Sequence, residues 1–166
     1  MIPLKSEKDL EMLRVSGKIL ARVMRKLEEE VKPAVTTFEL DSLAEALIRQ
    51  EKAIPAFKDY KGFPANICTS INEEIVHGIP GNRKLKEGDI ISLDLGINYQ
   101  GYFTDAASTI GVGKIDPKSK KLIEVTKKAL SLGIKQARIN NRVSDISYAV
   151  QEYVEKHGFS VVRYFV

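Results

Sequence analysis

The sequence predicts an α+β fold in which helices cover an antiparallel β-sheet. Amphipathic helical periodicity occupies residues 6–52, and short β-branched runs broken by Gly, Pro and Asn occupy residues 65–113. Helical periodicity returns after residue 116. A length of 166 residues fits one domain and is enough to bury a sizeable core, so we expect residues 1–166 to form a single domain.

Four helices are predicted, two on each side of the β-rich segment. The first begins at the capping pair Ser6 and Asp9 and stops before Pro33, and the second begins at Thr36. The third begins at Asp116-Pro117, an N-cap followed by the residue best suited to the first helical position. The predicted ranges are residues 6–31, 36–52, 116–140 and 144–157.

Five strands are predicted, and two of them form a hairpin. The strands of the hairpin cover residues 89–97 and 102–112, and the turn between them contains Asn98 and Gly101, residues that suit hairpin turns. The other predicted strands cover residues 67–71, 74–77 and 159–166.

A faint internal repeat links the second and fourth helices. A shift of 106 residues places one apolar stripe on the other, with Leu40, Leu43, Ala44, Leu47 and Ile48 over Ile146, Ala149, Val150, Tyr153 and Val154. Any two amphipathic helices align to some extent, so periodicity alone leaves both chance and a true repeat open. If the repeat is real, the second copy lacks a counterpart of residues 66–112.

Composition excludes several classes of protein. The single cysteine, Cys68, cannot form an intramolecular disulfide, which favours a reducing compartment over a disulfide-built secreted scaffold. The net charge of +4 is spread without a basic block, and no apolar run reaches the roughly 18–20 residues that span a bilayer. The first residues do not resemble a signal peptide. We expect a cytoplasmic monomer without a specific nucleic-acid or membrane partner.

Two aspartates of the hairpin are the strongest candidates for chemistry. A turn centred between Tyr99 and Gln100 would place Asp94 directly opposite Asp105, with Cβ atoms about 4.5–5.5 Å apart on one face. Close carboxylates among apolar neighbours need a cation, and one or two divalent metals would supply it. Two alternatives to a metal site remain open. One aspartate could face solvent, or the pair could share a proton.

Other candidate residues carry weaker signals. His77 precedes a Gly/Pro turn, a place where working side chains occur, although a lone histidine is more often structural. His157 fits a helix ending, and Cys68 by itself fits a small buried hydrophobe. An aromatic group could be core or the wall of an apolar pocket; its members are Phe57, Tyr60 and Phe63.

Three strings resemble type I methionine aminopeptidases over nearly the whole chain. They are NICTSINEEIVHGIP at residues 66–80, GDIISLD at residues 88–94 and GYFTD at residues 101–105. The resemblance implies the pita-bread fold, whose two related halves agree with the faint repeat. It also implies metal-dependent removal of the initiator methionine from nascent chains when the second residue is small.

The resemblance also implies roles for individual residues. Asp94 and Asp105 would bind two divalent ions, with Asp105 bridging both, and cobalt, manganese, iron or zinc are all possible. His77 would contact the substrate near the scissile bond. The pocket for the methionine side chain would be lined by Tyr60, Phe63 and Cys68. Nascent amino termini would be the substrates, with at most a transient contact to the ribosome.

The sequence departs from the family in one respect. The family's Gly-His-Gly-Ile-Gly segment, which carries a metal histidine, would follow Val166, and two metal glutamates would come later. We therefore expect the 166 residues to contain the first half and the start of the second half of the fold, with the remainder missing. Because three of five ligands would be absent, we expect this chain alone to be inactive.

Two rival functions share the fold. A non-catalytic pita-bread module would bind protein or nucleic acid, but such modules usually lose the metal ligands, and here Asp94, Asp105 and His77 are all present. A proline dipeptidase of the same fold is the other rival, and the type I strings argue against it.

Overall fold

A computed structural model describes residues 4–164, which divide after Ile115 into two compact units. The helices and strands of the first unit are α1 (Glu7–Glu30), α2 (Thr37–Gln50), β1 (Ile54–Pro55), β2 (Cys68–Ile71), β3 (Ile90–Tyr99) and β4 (Tyr102–Gly111). The second unit contains α3 (Pro117–Gln136) and α4 (Val143–Lys156). The prediction that residues 1–166 form one domain stays a prediction.

The first unit is an antiparallel sheet covered on one face by α1 and α2, as the sequence predicts. The long strand β3 is central, with β1 and β2 along one edge and β4 along the other. The alternate residues of β3 that face the helices are fully buried: Ile91, Leu93, Leu95 and Ile97. They pack in one cluster with the apolar stripes of α1 and α2. The other face of the sheet is therefore free to carry polar chemistry.

Capping determines where the first two helices begin. The Ser6 hydroxyl accepts a hydrogen bond from the Asp9 amide, and the Asp9 carboxylate accepts one from the Ser6 amide in return. Thr36 and Glu39 form the same reciprocal pair at α2. Both predicted starts are confirmed within one residue.

The hairpin turn differs from the prediction by one position. Its two central residues are Gln100 and Gly101, with φ of 53° and 88°, so both occupy the left-handed region that a tight two-residue turn requires. Tyr99 therefore pairs with Tyr102, and the hairpin is centred between Gln100 and Gly101 rather than between Tyr99 and Gln100. Every cross-strand partner moves by two residues as a result.

The second unit is a pair of helices. Asp116 caps α3 by accepting from the amides of Lys118 and Ser119. The two helices pack through Val125 and Ala129 of α3 and Val154 of α4. The helix α3 ends at Gln136, four residues before the predicted end. Of the helices in residues 4–164, none has the length and apolarity to cross a membrane.

Two predicted strands are wrong, and one strand was not predicted. Residues 74–77 form no strand; they belong to a loop that leaves β2 by a turn at Asn72, whose φ is 56°. Residues 159–164 are also irregular, and Phe165 and Val166 lie outside the described residues. The short strand β1, Ile54–Pro55, has too few residues to produce a periodic signal.

Candidate active site

The two candidate aspartates lie on the same face of the β3–β4 hairpin, but they are not directly opposite each other. Asp94 pairs with Ala107 and Asp105 pairs with Gly96, so the carboxylates are diagonal neighbours. The predicted pairing was wrong because the turn lies one position later in the chain. The shared face was predicted correctly, since a shift of two residues preserves the alternation of a strand. Diagonal neighbours on a sheet are about 7–8 Å apart, with their Cβ atoms somewhat closer, which leaves space for ions between the carboxylates.

A pocket of about 640 Å³ lies over this acidic face. Asp94 and Asp105 contribute its acidic end, and His77 and Cys68 lie beside them. The rest of its lining is mostly apolar and consists of Phe57, Tyr60, Lys61, Gly62, Phe63, Pro64 and Ile79. All the predicted site residues therefore line one cavity, and the aromatic group forms a pocket wall rather than core.

The aromatic wall packs against the sheet at Gly96, a residue without a side chain. The rings of Phe57 and Phe63 meet edge to face, with centroids 6.5 Å apart. A Cβ at Gly96 would lie 2.8 Å from the Phe57 ring, so any larger residue there would displace the ring. Sequence reasoning missed Gly96, although a glycine inside a strand pattern is a known sign of close approach.

His77 is held beside β2 by the residue that follows it. Gly78 accepts a hydrogen bond from the Thr69 amide at 2.8 Å and donates one to the Ser70 hydroxyl at 3.2 Å. A Cβ at Gly78 would overlap the Thr69 carbonyl, so only glycine permits this approach. His77 itself has a φ of 61°, a conformation that costs free energy and that clusters at functional sites.

Burial makes the acidic pair costly in its charged form. Burial, with a further contribution from the charge of Asp105, raises the pKa of Asp94 to about 6, although the nearby His77 acts in the opposite direction. Burial also raises the pKa of Asp105. Asp94 Oδ1 has no hydrogen-bond partner within residues 4–164. A cation bound by these two carboxylates would therefore offset the cost of their charge.

Cys68 is the cross-strand partner of Asp94 and lies at the base of the pocket. Its side chain is 4% exposed, and burial together with the charges of Asp94 and Asp105 raises the pKa of the thiol to about 12. A thiol of this kind is neutral at physiological pH and is a poor nucleophile. Cys68 is therefore suited to apolar contact rather than to covalent chemistry.

The residues present fit a divalent cation in part. Two carboxylates, one of them with an orphaned buried oxygen, are the oxygen donors that divalent ions bind. However, across the described part of the chain no three His, Cys, Asp or Glu side chains are grouped closely enough to hold an ion together. Asp94 and Asp105 thus form a pair of ligands and not a complete set.

A carboxylate outside the pocket was also missed by sequence reasoning. Asp41 of α2 is 8% exposed, and its oxygens accept from the backbone amides of Asn66 and Ile67, directly before β2. It lies next to Leu40 within the apolar pattern of α2. A carboxylate within the apolar pattern of a helix needs hydrogen-bond partners when it is buried, so its position was a sign of such a contact.

Comparison with known proteins gives a consistent set of relatives. The family model of metallopeptidase family M24 matches residues 11–166. A methionine aminopeptidase of Clostridium acetobutylicum is 51% identical over the whole chain, which spans 67% of that protein. The crystal structure of a methionine aminopeptidase from Rickettsia prowazekii has a TM-score of 0.97 at 42% identity, over 99% of this chain and 66% of that one. The chain thus spans about two thirds of the length of these relatives.

A more distant structure resembles the chain in fold alone. The Xaa-Pro dipeptidase from Bacillus anthracis has a TM-score of 0.82 at 20% identity, over 93% of this chain. The predicted pita-bread fold is confirmed by these neighbours, and so is the resemblance to methionine aminopeptidases.

The raised pKa values predict how stability changes with pH in the absence of metal. An ordinary aspartate has a pKa of 3.8, and that of Asp94 is about 6, so the native chain retains a proton that the unfolded chain releases between these values. The free energy of unfolding should therefore lose part of its value as pH rises from about 4 to about 6.

Asp94→Asn should remove this loss. Measured by urea denaturation in EDTA from pH 4 to 8, the stability of the variant relative to the parent chain should increase up to about pH 6 and then level off. Glu73→Gln, at an exposed position outside the pocket, should remain parallel to the parent. A pH-independent difference for Asp94→Asn would contradict the prediction.

Proposed function

The chain belongs to metallopeptidase family M24, and from this premise we propose that its pocket serves the removal of an amino-terminal methionine from polypeptides by metal-dependent hydrolysis. The observation that carries the proposal is the juxtaposition of an apolar aromatic wall with two carboxylates in one cavity. The wall suits an apolar side chain, and the carboxylates suit the metal that hydrolysis requires.

The lining of the pocket suits the side chain of methionine. Its side chain is unbranched and flexible, and its thioether makes favourable contacts with aromatic rings such as those of Phe57 and Phe63. Cys68 adds a small apolar surface at the base. Tyr60, which is 64% exposed, lines the same pocket and offers its ring to the side chain. These residues would bind the side chain and exclude water around it.

A divalent metal is the cofactor of the family, and Asp94 and Asp105 are the residues that would hold it here. When bound, a divalent metal polarises a carbonyl oxygen and lowers the pKa of water, so no side-chain nucleophile is needed. We propose that Asp94 and Asp105 would together contribute to holding two such ions. The sequence and the structure are compatible with cobalt, manganese, iron or zinc.

His77 would orient the substrate. It lies at the same end of the pocket as the carboxylates, and the contact of Gly78 with β2 fixes the backbone that carries it. A ring nitrogen can form a hydrogen bond to the substrate backbone near the scissile bond. The proposal extends to substrates with a small second residue, presented by nascent chains in the cytoplasm, with at most a transient ribosome contact and a monomeric enzyme.

The two rival functions have less support. Solved structures of Xaa-Pro dipeptidases share the fold at about 20% identity, whereas the relatives above 40% identity are named methionine aminopeptidases. A non-catalytic module has no need of buried, mutually repelling carboxylates, yet Asp94 and Asp105 are present and share the pocket.

Metal binding by the 166-residue chain tests the role of the carboxylates. Mn²⁺ added to the EDTA-treated chain should raise its midpoint temperature of thermal unfolding. At a concentration near five times Kd, the free energy of unfolding should increase by about 1 kcal/mol. Asp94→Asn and Asp105→Asn should each abolish this increase, and Glu73→Gln should retain it. An equal increase in all four proteins would contradict the assignment.

Ligand discrimination tests the substrate. In the presence of Mn²⁺ the chain should bind L-methioninamide more tightly than L-alaninamide, as followed by NMR titration. Phe63→Ala should weaken methioninamide binding roughly tenfold, because it removes apolar contact worth about 1–2 kcal/mol. Phe38→Ala, which removes an exposed phenylalanine of α2, is the matched control and should bind as the parent does. Equal affinity for both amides would count against the proposed function.

Turnover by the 166-residue chain is not expected. Its described residues supply two metal ligands, too few to fix the geometry of a hydrolytic metal centre. Hydrolysis of the peptide Met-Ala-Ser, assayed with cobalt or manganese, should therefore be at the level of the buffer. Turnover that Asp94→Asn abolishes would show this expectation to be wrong.

A further inference from the structure

Asp41 is a buried carboxylate that the chemistry described above does not use. Its Oδ1 accepts hydrogen bonds from the backbone amides of Asn66 at 2.7 Å and Ile67 at 3.1 Å. Its Oδ2 accepts from Asn66 Nδ2 at 2.8 Å. No lysine or arginine forms an ion pair with it among residues 4–164. The backbone amides thus replace a counterion.

The residues that Asp41 holds connect two sides of the pocket. Phe63 and Pro64 of the wall precede Asn66, and Cys68 at the base follows Ile67. Asn66 is 2% exposed and Ile67 is fully buried, so this linking segment cannot obtain its hydrogen bonds from water. The Asp41 carboxylate therefore fixes the position of the segment that joins the wall of the pocket to its base.

We infer that Asp41 is a positioning residue that sets the width of the pocket, acting through Asn66 and Ile67 on the distance between Phe63 and Cys68. The inference rests on the proposed function in one respect, namely that this pocket receives the substrate side chain. An apolar pocket discriminates side chains by their volume, so a small change in its width changes which residue fits.

The hydrogen-bond geometry makes a specific prediction about replacements of Asp41. Asp41→Ala leaves two buried amides without an acceptor, which favours opening of the linking segment. Asp41→Asn keeps an oxygen for both backbone amides. Its amide nitrogen would then face Asn66, whose own amide can reverse, because Asn66 Oδ1 is buried without a partner and can accept. The conservative variant should therefore restore the pocket.

The thiol of Cys68 provides a readout within the pocket, since it is the single cysteine of the chain and is 4% exposed. Under native conditions iodoacetamide should alkylate it roughly tenfold faster in Asp41→Ala than in the parent chain, because the linking segment opens more often. Asp41→Asn should remain within about threefold of the parent. Val23→Ala, which removes core volume from α1, is the control for general destabilisation and should also remain close to the parent.

A second variant and a ligand complete the test. Asn66→Ala keeps the two backbone hydrogen bonds to the Asp41 carboxylate and removes only those of the Asn66 side chain, to Asp41 at 2.8 Å and to Glu45 at 3.4 Å. It should therefore give a smaller acceleration than Asp41→Ala, and it decides the question if Asp41→Ala does not fold. Rates in Asp41→Ala or Asn66→Ala no higher than in Val23→Ala would overturn the inference.

Ligand protection separates the two proposals. With Mn²⁺, L-methioninamide should slow alkylation of Cys68 in the parent chain, and this protection should be lost in Asp41→Ala and regained in Asp41→Asn. Absence of protection in the parent chain would contradict the proposed function. Protection that persists undiminished in Asp41→Ala would overturn the positioning role.

Discussion

The register of the β3–β4 hairpin is the constraint on which the site depends. The turn at Gln100 and Gly101 determines which residues of the two strands face each other, and so it places Asp94 and Asp105 diagonally on one face. The opposite face of β3 is committed to the core beneath α1 and α2. A slip of β4 by one residue against β3 would move the two acids to opposite faces of the sheet and turn the apolar residues of β4 away from the core, so packing and site chemistry select the same register.

The charged forms of Asp94 and Asp105 cost free energy that the rest of the pocket does not offset. Burial disfavours the charge of both carboxylates, and Asp94 keeps one oxygen without a partner in the described part of the chain. A fold optimised only for stability would replace such residues with neutral ones. The conflict between local stability and the retention of these acids is the physical signature of a site built for a cation.

Much of the fold could be predicted from the sequence, because caps, periodicity and turn residues act locally. The reciprocal Ser6–Asp9 cap and the hairpin strands belong to this category. The failures have non-local causes. Residues 74–77 are apolar enough to resemble a strand, yet Gly78 holds them against β2 as a loop. The contact of Asp41 with Asn66 spans 25 positions, and no local pattern reports such a pair. The alternation of the strands predicts that the two aspartates share a face. Their exact pairing depends on the left-handed conformation of Gln100 in the turn, which the local pattern does not indicate.

All the residues that line the candidate pocket lie between Phe57 and Asp105. During synthesis on the ribosome, every one of them has been added to the chain before the first residue of α3. The anchor Asp41 and the helices that cover the sheet precede them. The order of the chain is therefore compatible with vectorial folding, in which the side-chain pocket assembles while the downstream segments are still being translated.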